Sequence, residues 1–420
     1  MNVLNSGDIS WMLISSAMVL LMTPGLAFFY GGMVKRKNVL NTMMSSVLCM
    51  GLASILWVLI GYSLSFSGDF AGIIGNFKWF GLSGVDSNAP GPFAATIPNL
   101  CFTIFQMMFA IITPALITGA VVERMKFSSL FVFIGVWSII VYYPLAHMVW
   151  GGGFLQNLGA IDFAGGNVVH ISSGVSALVL AIILGKRKNH GKATYHPHNV
   201  PFVLLGAGLL WFGWFGFNAG SAGAANGLAV RAFMTTNTAA AAAMLSWLMI
   251  EKVRNGKPTL VGASTGLVIG LVAITPGAGF VPIWASIIIG ALVSPICYFF
   301  ITFIKPKLGY DDALDAFGCH GIGGIWGAIA TGIFAQTSLN PAAKWNGLIF
   351  GEWHLFGIQL VSIFVTIVIA VLGTLIAVGI AILVTKNLRV SERDERNGLD
   401  ASQHGESAYP AFNGMDNFVE

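Results

Sequence analysis

The chain has 420 residues, 56% of them hydrophobic and only 9% charged, with a formal net charge of +4. A soluble globular domain carries roughly 25% charged residues, so this composition excludes one and implies an integral membrane protein. No basic stripe with interleaved aromatics suggests a nucleic-acid partner. No metal-spaced ligand set or nucleophile–base pairing calls for a metal, a cofactor or an enzymatic role.

The first apolar run extends from Ile9 to Val34 and ends in Lys35-Arg36-Lys37, with no Lys or Arg before it. A signal peptide has a positive n-region and a shorter core, so this run reads as a retained spanning helix. A helix needs about 20 apolar residues to cross a bilayer. On that rule the spans fall at about 9–34, 40–66, 97–121, 127–147, 167–185, 200–218, 229–250, 260–275, 281–304, 317–336 and 355–385. The eighth is short and glycine-rich; the last is long enough to tilt or to extend into solvent. The 52 glycines suit close helix packing in lipid. Cys49, Cys101, Cys297 and Cys319 all lie in apolar runs and make no C-x-x-C pair, so they read as packing residues. The segment 386–420 is polar and reads as a cytoplasmic tail, docked or partly ordered.

Of the 21 Lys and Arg, all but Lys78, Arg231 and Lys344 fall on alternate connections and on the tail. Lys192 belongs to that basic set. The basic side of a membrane protein faces the cytoplasm. An odd number of spans, an external N-terminus and a cytoplasmic C-terminus follow.

Two histidines sit in uncharged apolar stretches: His170 in GNVVHISSGVSALVL and His320 in FGCHGIGGIWG. Each has an aspartate eight residues upstream, Asp162 and Asp312, and H-x-x-x-G recurs as His170/Gly174 and His320/Gly324. The fifth and tenth spans cross in opposite senses. Eight helical residues rise about 12 Å, so mostly helical segments bring both imidazoles towards the midplane from opposite sides. That is the pattern of an inverted five-helix repeat, about 9–185 against about 200–336, with the eleventh helix outside it. Ionisable groups at membrane depth are costly and usually functional. The alternative is a polar clasp between neighbouring helices, which mirrored contexts make less attractive.

The spans carry neither an acidic ring nor a TVGYG-like filter, the usual provisions for a bare metal cation. The permeant species is therefore expected to be neutral at the midplane. Two neutral imidazoles donate and accept hydrogen bonds and titrate near neutrality. An amine of pKa about 10 loses its proton at pH 7 for about 4 kcal/mol, while burying an isolated ammonium costs several kcal/mol. Deprotonation before crossing is energetically competitive.

Other candidates have two readings each. Trp150 in HMVWGGG is a cation–π partner or an interfacial belt residue. Phe105 and Phe109 in FTIFQMMFA, and Phe217 in GWFGFNAGS, are core or constriction. Ser221 is a polar lining or a local backbone hydrogen bond. Asp162 holds a cation or orders the start of the fifth span.

The string DDALDAFGCHGIGGIWG at 311–327 resembles the signature of the Amt/Mep/Rh ammonium transporters. So do PGLAFFYGGMV at 24–34, DFAGGNVVHISSG at 162–174 and GWFGFNAGS at 213–221; GLDASQHGESAY at 398–409 is similar to the bacterial and archaeal Amt tail. The resemblance implies a homotrimer in the plasma membrane with one pore per subunit and the twin histidines His170 and His320. It also implies an outer ammonium site of Phe109, Trp150 and Ser221, a gate of Phe109 and Phe217, and Asp162 in support. Asp312 and Phe105 are expected as further supporting residues. A cytosolic PII-type protein plugging the pore mouth is the implied regulator, with 386–420 as a regulatory tail attached to a channel domain of 1–385.

The expected function is ammonium transport: capture of the cation, deprotonation, passage of ammonia along the histidines, and separate, electrogenic movement of the proton. Neutral ammonia conduction is the alternative within transport. An ammonium sensor signalling through a cytosolic partner is the alternative outside it, for which the short tail leaves little room.

Overall fold

The computed structural model of the protein describes residues 4–188, 190, 191 and 196–410. Of the sequence expectations, Lys192 and the tail residues 411–420 lie outside these. Among the described residues ten helices are long and apolar enough to cross a membrane: α1 Ser6–Met33, α2 Arg36–Phe66, α3 Asn99–Thr118, α4 Phe127–Leu158, α5 Gly166–Leu184, α6 Val200–Gly220, α7 Gly227–Asn255, α9 Ile283–Leu308, α10 Phe317–Phe334 and α11 His354–Thr385. The short glycine-rich segment is α8, Leu260–Ile274. At 15 residues it rises about 22 Å, and the turn through 275–280 completes its crossing.

Polar caps set many of these ends. Side chains of Asn5, Asn199, Asn226 and Thr259 accept backbone N–H groups in the first turns of α1, α6, α7 and α8. Such caps satisfy donors that have no partner within the helix. Gly256 and Gly309, with φ of 77° and 69°, close α7 and α9 in the left-handed conformation glycine adopts freely. Several spans run past their expected limits, α7 as far as Asn255, and two departures have a visible local cause. α3 starts later because Ala94–Pro98 (β2) pairs antiparallel with Pro90–Gly91 (β1). α4 runs past 147 to Leu158, with a break at 151–153.

The connections gather at two ends. At one, Phe154 N–H donates to Gly72 O (2.8 Å) and Phe163 N–H to Pro276 O (3.0 Å). At the other lie the basic connections and the tail: Lys126 N–H donates to Leu388 O (2.8 Å), and Arg187 bridges Asp311 and Glu123, each at 2.9 Å. The crossings therefore place the start of α1 and the described tail at opposite ends, with the positive charge concentrated at the tail's end.

The first five spans pack on the next five through a seam of matching pairs, α1 on α6 and α5 on α10, with α11 beside them. Small residues make the seam tight: a Cβ on Gly206 of α6 would stand 2.6 Å from the Cα of Phe29 in α1. Packing of this kind, rather than hydrophobic exclusion from water, holds helices together in lipid.

The described tail lies against the basic end. Its helix α12, Glu392–Asn397, is capped by Ser391. Beyond it Asp400 Oδ1 accepts the backbone N–H of Asn41 (2.9 Å) at the start of α2, Leu399 N–H donates to Asn38 Oδ1 (2.8 Å), and His404 meets Asn41 Nδ2 (2.9 Å).

Candidate functional site: a histidine pair between two cavities

The fifth and tenth spans begin alike. Asp162 Oδ1 accepts the N–H groups of Gly165 (2.8 Å) and Gly166 (2.6 Å), and Oδ2 those of Asn167 (2.8 Å) and Val168 (3.3 Å). Asp312 accepts from Ala316 (3.0 Å) and Phe317 (2.8 Å). A carboxylate at a helix N-terminus satisfies orphan donors and complements the macrodipole. Burial pushes the Asp162 carboxyl upward against these bonds; it pushes Asp312 up to about 6. Both helices open with a widened π turn, Gly166–Ile171 and Phe317–Ile322, and each histidine sits inside one. The segment from aspartate to histidine is thus only partly helical: the chain stays irregular through Gly165 (φ 118°), because the carboxylate is spent on capping, and the helix begins at Gly166, one residue before the expected start.

The two imidazoles stack, with ring centroids 5.3 Å apart and planes 14° from parallel. They are 1% and 3% exposed. His170 Nδ1 and Nε2 and His320 Nδ1 have no hydrogen-bond partner among the described residues. A polar clasp between helices would engage these nitrogens, and among the described residues none of the three is engaged. The glycine one turn after each histidine lets the other half approach. A Cβ on Gly324 would meet the Cβ of His170 at 3.0 Å, and one on Gly174 the carbonyl carbon of His320 at 2.9 Å.

From His170 a file of rings leads away from the basic end. His170 stacks on Trp214 (5.4 Å, 20°) and lies 6.2 Å from Phe217; Phe217 stacks on Phe109 (4.2 Å, 22°); Phe109 meets Trp150 edge-on (5.9 Å, 86°) and Phe105 at 5.0 Å. Phe109 and Phe217 are each 1% exposed. Beyond them a cavity of about 210 Å³ is bordered by Phe105, Gln106, Phe109, Trp150 and Ser221, among others. Trp150 is therefore a wall of this cavity rather than a lipid-belt residue, and its Nε1–H donates to Asp162 O (2.8 Å). Ser221 Oγ donates to Phe217 O (2.8 Å), so it makes the local backbone bond and lines the cavity as well.

On the other side His320 borders a second cavity, of about 200 Å³, with Tyr30, Lys35, Arg187, Leu314 and Cys319. Cys49, Cys101 and Cys297 are buried packing residues, whereas Cys319 is partly exposed and lines this cavity. Among the described residues no group of three or more His, Cys, Asp or Glu side chains could hold a metal ion.

Every site residue named from the sequence is thus in the lane, at a cavity or capping a lane helix. Sequence reasoning missed Trp214 and Gln106. Trp214 precedes Phe217 by three residues, a same-face spacing. Gln106 is a lone amide inside an apolar span, itself a signal at membrane depth.

The profile described as the Ammonium Transporter Family matches residues 10–409. The chain belongs to that family. Among its family relatives, the ammonium transporter of Bacillus subtilis is 52% identical over 403 residues, covering 96% of this chain and 98% of the relative. The ammonium transporter Amt1 of Archaeoglobus fulgidus is 46% identical over 407 residues, covering 97% and 100%. The crystal structure of Candida albicans Mep2 superposes with a TM-score of 0.88 at 34% identity, covering 99% of this chain and 93% of that one.

Proposed function

We infer that this member of the family is a multi-pass membrane transporter of ammonium, as its relatives are named. One observation carries the mechanism: a continuous file Trp150–Phe109–Phe217–His170–His320 connects two cavities, and three of the four imidazole nitrogens have no partner among the described residues.

On this reading the cavity at Trp150 is external and receives ammonium against the faces of Trp150 and Phe109, a cation–π environment, with Ser221 Oγ as acceptor. Thermal parting of the Phe109–Phe217 stack admits the molecule. It gives up its proton there, since an unpaired cation is expensive in the lane beyond. Ammonia then exchanges hydrogen bonds with the open nitrogens of His170 and His320 and leaves through the basic, cytoplasmic cavity. The proton crosses separately, so net charge moves. Asp162 supports this site by holding the start of α5 and, through its carbonyl, the Trp150 indole; Asp312 does the same for α10, and Phe105 backs Phe109.

The same reading takes residues 1–385 as the channel domain, built of pseudo-repeats 9–185 and 200–336 with a helix at 355–385, and 386–420 as a cytoplasmic regulatory tail. The working unit is a homotrimer in the plasma membrane, and a PII-type trimer at the cytoplasmic mouth is its regulator. Support for that partner is the similarity of 398–409 to the Amt tail and the docking of this segment on the basic end.

Solid-supported membrane currents from purified protein in liposomes test the mechanism. Ammonium pulses giving current, with potassium pulses silent, are the expected result. Intact radiolabelled methylammonium uptake with no current would replace it by neutral conduction. Binding without flux would favour a sensor.

A further inference from the structure

We propose that the side-chain carbonyl of Gln106 is a direct ligand of the cation in the Trp150 cavity. This rests on the reading of that cavity as the ammonium site. Phe102, Phe105, Gln106 and Phe109 all border the cavity, at the i, i+3, i+4 and i+7 spacing of one helix face. Gln106 Oε1 is buried and has no hydrogen-bond partner among the described residues. The neighbouring amide oxygen, Gln156 Oε1, is already occupied by the N–H of Gly152 (2.7 Å). A buried carbonyl without a donor is unfavourable, and native structures retain such a group where a ligand or water completes it.

The other walls define what that ligand must be. The Ser221 hydroxyl proton goes to Phe217 O, so Oγ offers only lone pairs to the cavity. The Trp150 N–H goes to Asp162 O, so that donor too is spent. The oxygens that these walls offer are Gln106 Oε1 and Ser221 Oγ, both neutral, among Phe and Trp rings. A small cation with several N–H donors fits: it hydrogen-bonds both oxygens and lays its remaining charge on the rings. A potassium ion cannot donate, and exchanging its hydration shell takes rings of carbonyl oxygens that this cavity lacks. Gln106 would thus set affinity for ammonium and help to reject potassium.

The test measures ammonium-evoked current against concentration for wild type, Gln106→Leu and Gln106→Glu in liposomes, with oligomer elution checked for each. For Q106L the half-saturating concentration rises about tenfold, equivalent to about 1.4 kcal/mol, while maximal current stays within about twofold. Q106E moves the other way, because a carboxylate strengthens the hydrogen bond to a cation. Its half-saturation falls, its maximal current drops as release slows, and potassium becomes a competitor. Half-saturation equal to wild type in both variants overturns the proposal, whether maximal current is kept or lost; in the second case Gln106 only packs. If wild type itself shows no saturable ammonium response, the cation-site reading falls first and this proposal with it, an outcome visible before either variant is compared.

Discussion

Gly174 in α5 packs on the backbone of Gly321 in α10, one residue past His320. The side chain that is absent at Gly174 therefore sets how closely the two histidine-bearing helices meet. Replacing it with alanine forces α5 and α10 apart, an overpacking cost of about 1–3 kcal/mol. Gly174→Ala is expected to lower the melting temperature in detergent and to abolish ammonium current. A Cβ at Gly324 would meet the His170 Cβ at 3.0 Å, the Ile171 side chain at 3.1 Å and the Ile171 backbone nitrogen at 3.2 Å, all looser than the contacts at Gly174, so Gly324→Ala is expected to be milder in both assays.

His170 and His320 have unpartnered ring nitrogens, so removing either ring breaks no hydrogen bond seen in the structure. His170→Ala and His320→Ala are expected to keep a monodisperse oligomer while losing transport or admitting potassium. Uptake and selectivity both equal to wild type would remove the histidines from the mechanism.

Asp312 supplies a pH signature. Burial raises its folded-state value to about 6, above an unfolded value of about 3.9. A raised group gives stability that is complete below the unfolded value and is lost as pH rises through the folded one. The melting-temperature advantage of wild type over Asp312→Asn should therefore be larger near pH 4 than at pH 7. An advantage that grew with pH would contradict this environment.

Arg187 holds two carboxylates at the basic end, its Nε and one terminal nitrogen on Asp311 and the other on Glu123. Burial raises the Asp311 carboxyl, but the Arg187 guanidinium outweighs it and holds the group well below the usual carboxylate range. Its contribution is present above pH about 4 and fades only in stronger acid. Arg187→Met leaves two buried carboxylates without this partner and is expected to cost about 3–5 kcal/mol, read as a lowered thermal transition at neutral pH.

Asp400 reaches from the tail to the first turn of α2, where its carboxylate accepts the Asn41 N–H. Losing such a cap costs about 0.5–2 kcal/mol. Asp400→Ala is expected to speed amide exchange at 39–42 without changing exchange in α5, which hydrogen–deuterium mass spectrometry would resolve.

The spans were legible because lipid requires long apolar runs, and the charge pattern already grouped the connections that the structure gathers at one end. His170 and His320 stood out because a polar ring among apolar residues has few explanations. Phe109 and Phe217 did not: an aromatic side chain reads the same in a core as in a constriction, and their stacking joins helices over a hundred residues apart. Only resemblance to a known family singled them out. Trp214 was hidden for that reason, and Gln106 because an amide's lack of a partner is visible only once its neighbours are placed. The start of α5 was legible to within a residue, 167 against Gly166, whereas the widened turn that carries His170 was not, because nothing in the residue types distinguishes a π turn from an α turn.

The widened turns at Gly166–Ile171 and Phe317–Ile322 have a consequence for helix phase. Each regular residue advances an α-helix by about 100°, and a π turn accommodates one more than α geometry does. Residues before the bulge, tied down by an aspartate, and residues after it, seated on the opposite half, are thereby kept in a register that a plain helix would not give them. Inserting a single residue after either bulge would leave composition, hydropathy and span length almost unchanged. It would nonetheless swing the face carrying Gly174 or Gly324 away from its partner, whereas deleting the bulge's own extra residue would let the turn close to α geometry with its flanks still in phase. The two halves are locked by angular phase as much as by shape, and a one-residue insertion there should be less tolerable than many substitutions elsewhere in the same helix.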